Sequence, residues 1–467
     1  MHRQTTRRPE AARNQVTARL QSLLGRAVPE AGRGRPGPID PLLKLAIVCA
    51  LAGLIAVPLH FGLSPFLVEF DELVALPVLR SVLLISGALL LGHAALTLMF
   101  SLLYRPTPAP REGLPRCTVI VPAYNEGPMV GVALGSILVG DYPRDRLEVL
   151  AIDDGSTDDT WSHIQRIARE HPDVVRAIRM PKNGGKREAL RAGFSAATGE
   201  VVVSVDSDSR LDPDALRQIV APIMADPRVA AVAGKVLVLN RYSGLITRLL
   251  AIRFFLAFDL GRAAQSRFGA VLCCPGALTA YRRSAVMAVL DRWATQTFLG
   301  EPCTIGEDRA LTTWLLRTGH RAVYQSTAIV HTLVPTHYAG LTRMYLRWER
   351  GNLREGLTLL PLLATRWRRE DRWWPTLDIL LELGQVPLAC LAVALTVTHL
   401  LAAPLDILRL VATISVFALV QSLYTLRSER STDFLYGVGY AFFAFLCLQW
   451  IYPWSLVTVR NGRWLTR

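Results

Sequence analysis

The sequence predicts an α/β protein built into a membrane: a mostly parallel sheet inserted between transmembrane helices, with amphipathic helices at the bilayer interface. Three observations carry this expectation. Five long stretches (45–68, 81–104, 383–405, 410–426 and 434–459) contain no Asp, Glu, Lys or Arg. Short β-rich runs alternate with helical patterns between 117 and 233, and two later segments mix apolar residues with arginine at helical spacing.

The chain has 467 residues, 51% of them apolar and 19% charged, which allows about three units at roughly 150 residues each and excludes a disordered polymer. Seven cysteines without CxxC spacing are too sparse for a disulfide scaffold or a zinc site. A net charge of +14 suits nucleic acid, anionic lipid or phosphorylated substrates equally.

The elements follow in order. Residues 1–40 are a basic segment, carrying Arg3, Arg7, Arg8, Arg13, Arg19, Arg26, Arg33 and Arg35 against Glu10, Glu30 and Asp40. The excess of cations places this segment in the cytoplasm, although an Arg-rich, acid-poor leader also fits an organelle transit peptide. Residues 41–104 supply two transmembrane helices, joined by an outward loop with Glu69, Asp71 and Glu72. Residues 105–340 then form a cytoplasmic domain, 341–376 amphipathic interface helices, and 377–467 about three further helices with a short basic tail. Three crossings would leave Arg460–Arg467 outside, against the charge bias; either the last stretch, broken at Pro453, is re-entrant or the tail is an exception.

Within the domain, strands are expected at 117–121, 147–152, 174–179, 200–205 and 229–233, and helices near 128–139, 159–170, 186–197 and 212–225. Ligands in such sheets bind beyond the carboxyl ends of the strands. Those ends read Pro122-Ala123-Tyr124-Asn125-Glu126, Asp153-Asp154-Gly155-Ser156 and Asp206-Ser207-Asp208. Each alone is an ordinary turn or cap, but three acidic clusters after strands of one sheet converge on one crevice. Asp206 and Asp208 can present two carboxylates to Mn²⁺ or Mg²⁺, ions commonly held by one or two carboxylates plus substrate phosphates. The implied ligand is a nucleotide diphosphate; no Walker-type phosphate loop is present. Only four lysines (Lys44, Lys182, Lys186, Lys235) stand among 48 arginines, and Lys186 follows a glycine pair at a helix start, a place where backbone N–H groups and a cation meet phosphate.

Gly306-Glu307-Asp308 opens a helical run over 309–318, where the macrodipole stabilises a carboxylate as an anion and so favours a base over an acid. Segments 242–265 and 341–356 are too charged to span and read as amphipathic surface helices. In the second, Arg347-Trp348 can set a guanidinium at a phosphate and an indole against a sugar face, or simply anchor the helix. Asp378, Glu382, Gln385 and Trp450 are candidates for lining a polar path through the bilayer, or for an interfacial helix end.

The ordered set VPAYNE, DDGS, DSD, GED and RW resembles a membrane-bound family 2 glycosyltransferase, of the branch holding hyaluronan synthases, chitin synthases and the nodulation chitooligosaccharide synthase. The nearest likeness runs from Arg262 to Arg354. The resemblance implies a nucleotide-sugar-binding sheet of GT-A type. It implies that Ala123, Tyr124, Glu126 and Asp154 hold the uridine, that Asp206 and Asp208 serve ribose and metal, that Lys186 and Arg347 meet the diphosphate, and that Asp308 is the catalytic base. Cys273, Gly276, Glu307 and Trp348 would line the acceptor or product side. One departure stands out: the first position of the family's Gln-x-x-Arg-Trp motif is Met344, with Arg343 as a neighbouring stand-in.

The expected activity is inverting transfer from a UDP-sugar, foremost UDP-N-acetylglucosamine, to a growing glycan that is then extruded. Two other readings remain: transfer of a single sugar onto a lipid acceptor, and a silent nucleotide-sugar-binding regulator. The expected partners are the UDP-sugar donor, a glycan acceptor and the lipid bilayer, with no nucleic acid because the arginines concentrate beside spans and in surface helices. The expected location is the inner (plasma) membrane, multi-pass, with the catalytic domain cytoplasmic.

Overall fold

The computed structural model describes residues 40–61, 77–363, 373–402 and 432–462, with scattered positions between 404 and 419. The basic segment 1–39, the acidic loop at 69–72, residues 364–372, most of the 410–426 stretch and the final five residues lie outside the described residues.

Two helices, α1 (Asp40–Phe61) and α2 (Pro77–Leu103), precede the domain. The domain runs β1 (Cys117–Ala123), α3 (Met129–Leu138), β2 (Leu147–Asp153), α4 (Thr160–Glu170), β3 (Val175–Arg179), α5 (Lys186–Ala196), β4 (Val201–Ser204), β5 (Ser209–Leu211), α6 (Ala215–Ala225) and β6 (Val229–Val238). The expected strands and helices of this stretch are therefore all present. Next come α7 (Leu245–Phe254), a π-turn (Phe255–Leu260) and α8 (Gly261–Arg267), which together realise the first surface segment. Then follow β7 (Thr279–Arg282), α9 (Arg283–Ala294), a small hairpin of β8 (Thr297–Phe298) and β9 (Glu301–Pro302), α10 (Glu307–Arg317) and β10 (Arg321–Thr332). Last are α11 (Tyr338–Leu363), α12 (Trp373–Ala402), α13 (Tyr436–Phe443) and α14 (Ile451–Val457).

The sheet order is β3-β2-β1-β4-β7-β6-β10-β5. The first four strands pair in parallel, as do β6 and β10, whereas β7 is antiparallel to both its neighbours and β5 to β10. The sheet is thus mixed and mostly parallel. β5, β7 and β10 were not among the expected strands: β7 is four residues long and β10 interleaves Arg, Gln, Ser, Thr and His with its apolar residues.

Helices cover both faces, and the side-chain alternation of the central strands divides the core accordingly. Val119, Val121, Val149, Ala151, Val201 and Val203 pack toward α3 and α6. Ile120, Leu150, Ile152 and Val202 pack toward α5, α9 and α10.

Among the described residues, one helix is long and apolar enough to cross a membrane by itself, Ile85–Leu103 within α2. Residues 432–448 and α14 pass the same test only together, bent by 46°. Pro453 contributes to the bend, since it removes the hydrogen bond to Gln449. The chain after the bend returns to the domain: Arg350 on α11 donates to the Thr458 hydroxyl at 2.9 Å, Arg460 pairs with Glu301 at 3.6 Å, and Thr304 donates to the Gly462 carbonyl. At the head of α1, Asp40 accepts from Arg248 on α7 and from the Tyr436 hydroxyl (2.7 Å), while Lys44 reaches Asp433 at 2.6 Å. The starts of α1 and α13 are thereby tied to α7 between them in the chain.

Candidate active site

The loops after β1 and β2 are stitched together. Ala123 pairs with Asp153 in register, and its carbonyl accepts from the Asp154 N–H at 2.8 Å. The Asn125 N–H donates to the Ser156 hydroxyl (3.0 Å), and the N–H groups of Glu126 and Gly127 both donate to Thr160 (2.8 Å). Tyr124 and Glu126 stand half-buried on this ledge.

Asp154 is buried and accepts from the N–H of Gly184 on one oxygen and of Gly185 on the other, both at 2.8 Å. Burial pushes its carboxyl up, and the two N–H donors offset only part of that. The 153–156 loop presses so close to 182–183 that a Cβ on Gly155, which also sits at φ +71°, would fall 2.7 Å from backbone atoms. Asp154 thus fixes the entry to α5, whose first residue is Lys186.

Lys186 sends its Nζ to Asp206 and, at 3.1 Å, to Glu307. One ammonium therefore joins the end of β4 to the start of α10. Its pKa is driven upward: burial opposes the charge, but Asp206, Glu307 and Asp308 outweigh it. Two residues on, the Thr332 hydroxyl at the end of β10 donates to Asp208 at 3.2 Å. No cluster of three or more His, Cys, Asp or Glu side chains among the described residues could hold an ion. The two carboxylates of Asp206 and Asp208 fit Mn²⁺ or Mg²⁺ only in the mode where substrate phosphates complete the shell.

Asp308 occupies the first turn of α10. Its Oδ2 accepts from the Gly276 N–H at 3.1 Å and its Oδ1 from the Arg309 N–H at 2.7 Å. A Cβ on Gly276 would strike the Lys186 ammonium and lie 3.0 Å from the Asp206 carboxylate, so any larger residue must displace that pair. The electrostatics differ from the helix-dipole expectation. Burial, and then the neighbouring Glu307, push the Asp308 carboxyl up, with Lys186 opposing them, so it is a stronger base than a dipole-stabilised anion would be. Glu307 goes the other way: burial raises it, but Lys186 and Arg347 together hold it down as the anion. Cys273 lies close enough for the Asp308 charge, after burial, to raise its thiol further.

Arg347 on α11 reaches this centre electrostatically through Glu307. Trp348 is half-buried in an aromatic wall with Phe254 (5.8 Å), Phe258 (5.7 Å) and Tyr345 (5.5 Å), which sets it apart from a free membrane anchor. Met344 is buried in the core, and Arg343 is exposed with its Nε on the Ala339 carbonyl, so neither supplies what the motif's Gln would. The candidates for a membrane path separate. Glu382 bonds Arg309 at 2.7 Å, and Asp378 joins His93 of α2 (3.0 Å) to Gln265 of α8 (2.6 Å). Trp450 is exposed and donates to the Tyr338 hydroxyl at 3.0 Å, away from both; the Gln385 side chain lies outside the described residues.

Sequence reasoning missed three contributors. Thr332 ends the unrecognised strand β10. Trp293 is fully buried and donates its indole N–H to the Glu307 carbonyl at 2.8 Å, with Arg187 over its ring. Arg309 follows Asp308 directly. The chemistry-bearing neighbours of each were visible, but only the fold shows where their side chains reach: Thr332 to Asp208, Trp293 to the Glu307 carbonyl, and Arg309 to Glu382 and Asn352.

The family model for "Glycosyltransferase like family 2" matches residues 115–351. The chain is 35% identical over 364 residues to an N-acetylglucosaminyltransferase of Rhizobium meliloti (strain 1021), covering 77% of this chain and 83% of that protein. It is 36% identical over 379 residues to an N-acetylglucosaminyltransferase of Sinorhizobium fredii (strain NBRC 101917 / NGR234), covering 77% and 86%. A mannosyltransferase of Pyrobaculum calidifontis, solved with GDP-Man and Mn²⁺, superposes with TM-score 0.52 at 26% identity, covering 78% of this chain and 99% of that one. The sheet and its helices thus form a GT-A-like fold.

Proposed function

The chain belongs to glycosyltransferase family 2, and we propose that it transfers N-acetylglucosamine from UDP-N-acetylglucosamine, with inversion, onto a growing β-linked oligosaccharide at the membrane. The observation that carries this reading is the meeting of Asp308, held at both oxygens by backbone N–H groups, with the Lys186 bridge between Asp206 and Glu307. A base and a cation suited to phosphate then stand together where the end of β4 and the start of α10 meet.

In the proposed step, Asp308 removes the proton from an acceptor hydroxyl. The oxygen attacks the anomeric carbon from the face opposite the diphosphate, the bond from that carbon to the phosphate oxygen breaks, and UDP departs. Lys186 turns from Asp206 and Glu307 toward the leaving phosphates, joined by Arg347. A divalent ion on Asp206 and Asp208 would add charge neutralisation at the diphosphate. General-base help is worth about 10²–10⁴-fold, so positioning and charge stabilisation carry the remainder. A donor linked α gives a β-glycoside.

Ile85–Leu103, the 30-residue α12 and the exposed Leu446, Trp450, Trp454 and Val457 support a membrane-held enzyme, and the arginine excess before α1 supports placing its domain on the cytoplasmic side. The contacts of Thr458, Arg460 and Gly462 with the domain favour the re-entrant course of the last apolar stretch, which keeps the tail on the domain's side. The departure from the motif's Gln at Met344 supports one competing reading, a single sugar passed to a lipid-linked acceptor. Mass spectrometry of products made by purified protein from UDP-N-acetylglucosamine, alone and with UDP-glucuronate, tests both. A ladder of N-acetylglucosamine oligomers supports the first, a one-sugar lipid product the second, and absence of UDP release overturns both.

A further inference from the structure

Arg309 is 6% exposed, and its guanidinium bridges two helices. Nη2 donates to Glu382 on α12 at 2.7 Å and Nη1 to Asn352 on α11 at 2.8 Å. The backbone N–H of the same residue is the 2.7 Å donor to Asp308 Oδ1. One residue therefore holds the base and is itself held by the third apolar helix and the second surface helix. Glu382 and Asn352 also border a cavity of about 120 Å³, together with Arg253, Glu349 and Tyr452, so the bridge separates the base from a polar hollow. A guanidinium fixed at two of its nitrogens has little rotational freedom, and a base displaced by about 1 Å can lose about 10²-fold in rate.

We propose that Arg309, clamped by Glu382, is a positioning residue for Asp308, so that the base is aligned from the apolar helix α12 and not from the donor crevice. This rests on the assignment of Asp308 as base. Asp308 is faced by Glu307 on α10, Lys186 on α5, Asp206 after β4, Tyr281 on β7, and Cys273 and Cys274 in the loop after α8, all of which the pair leaves in place. The clamp therefore acts on alignment and on the balance of charge next to the base. Glu382, a candidate for lining a membrane path, is engaged by the catalytic helix instead.

The test is UDP release by full-length protein in detergent, with UDP-N-acetylglucosamine varied up to saturation across pH, for Glu382→Gln, Arg309→Met and the double variant. Each single change is expected to lower kcat about tenfold or more and leave the donor KM within about threefold. The double variant is expected to be no worse than the worse single, because the two side chains work as a unit. The acid limb of kcat moves to lower pH in Glu382→Gln, where an unopposed guanidinium favours the anion, and to higher pH in Arg309→Met. A misplaced structural contact would not move the limb in opposite directions. Should Arg309→Met fail to fold, Asn352→Ala and Glu382→Asp, which change no charge, test the alignment alone, with smaller losses expected in kcat and no shift of the limb. Unchanged kcat with an unmoved limb in Glu382→Gln overturns the proposal, as does a rise in donor KM at constant kcat. Wild-type protein that releases no UDP overturns the base assignment beneath it, and that outcome is read before any variant is made.

Discussion

The donor half and the base half of the crevice are supported differently. On the proposed donor side, the loops after β1 and β2 and the turn before α5 hang on adjacent parallel strands and brace one another through bonds donated by backbone N–H groups: Asp154 to the Ala123 carbonyl, Gly184 and Gly185 to the Asp154 carboxylate, and Asn125 to the Ser156 hydroxyl. On the base side, Asp308 depends on a loop that follows a surface helix, on the N-terminus of α10, and on an arginine gripped by α11 and α12. The donor half stands on the domain alone. The base half also leans on α11 and α12, so a disturbance of those helices is expected to reach kcat before it reaches donor affinity.

The sharpest test of that division removes the base. Asp308→Asn is expected to cut UDP release about 10²–10⁴-fold while UDP binding, measured by calorimetry, stays close to wild type. The same change should raise the melting temperature at neutral pH. The folded state favours the protonated Asp308 carboxyl, so its stability contribution is lost as pH rises through the raised folded pKa, and a neutral amide escapes that loss. A melting temperature that falls would mean the carboxylate is needed for folding.

Lys186→Met strikes both halves, because its Nζ joins them. We expect kcat/KM to fall by about 10²-fold and the melting temperature to drop, since Glu307 loses its main compensating charge while remaining buried. Unimpaired stability with lost activity would show that Arg347 alone suffices to hold Glu307. Gly276→Ala should cost about tenfold in kcat, by wedging a methyl group between Lys186 and Asp206, with folding retained. If it fell on donor KM alone, Gly276 would belong to the donor half.

The pH profile sharpens the comparison within one protein. Activity should be lost as pH falls through the raised Asp308 pKa, so the acid limb of kcat lies above the ordinary Asp value of about 3.9. A limb at or below that value would return the base to the simple dipole picture. The smallest expected effect is Thr332→Val, which removes one donor from Asp208 and should raise the manganese concentration needed for half-maximal rate about two- to threefold. Chelation of divalent ions that leaves rate and donor binding untouched would remove the metal role of Asp206 and Asp208.

Much of the donor half was legible because its signals are local. Each acidic cluster directly follows an apolar run, and a parallel strand is enough to aim it at the carboxyl edge. The same locality exposed Glu307 and Asp308. What brings Gly276 beside them is β7, four residues wedged antiparallel between β4 and β6, and nothing in Thr-Ala-Tyr-Arg announces a strand. β10 was hidden for another reason: its polar residues serve neighbours, with Tyr324 reaching Asp259, Gln325 reaching Thr107 and Thr332 reaching Asp208. Those partners are distant in sequence, so the strand's alternation looks broken. Trp293 and Arg309 likewise act through contacts set only by tertiary packing.

On the proposed assignment of Asp154 to the uridine, the two glycine N–H groups it accepts from would bear on selectivity. A nucleobase that docks on this carboxylate must share it with the turn that presents Lys186 one residue later. Fit at one end of the nucleotide is then felt at the other: a base of the wrong shape unsettles its own seat and also slackens the footing of the cation that greets the phosphates. Discrimination among nucleotides becomes a matter of turnover as much as of affinity, achieved by a shared anchor in place of a second checkpoint.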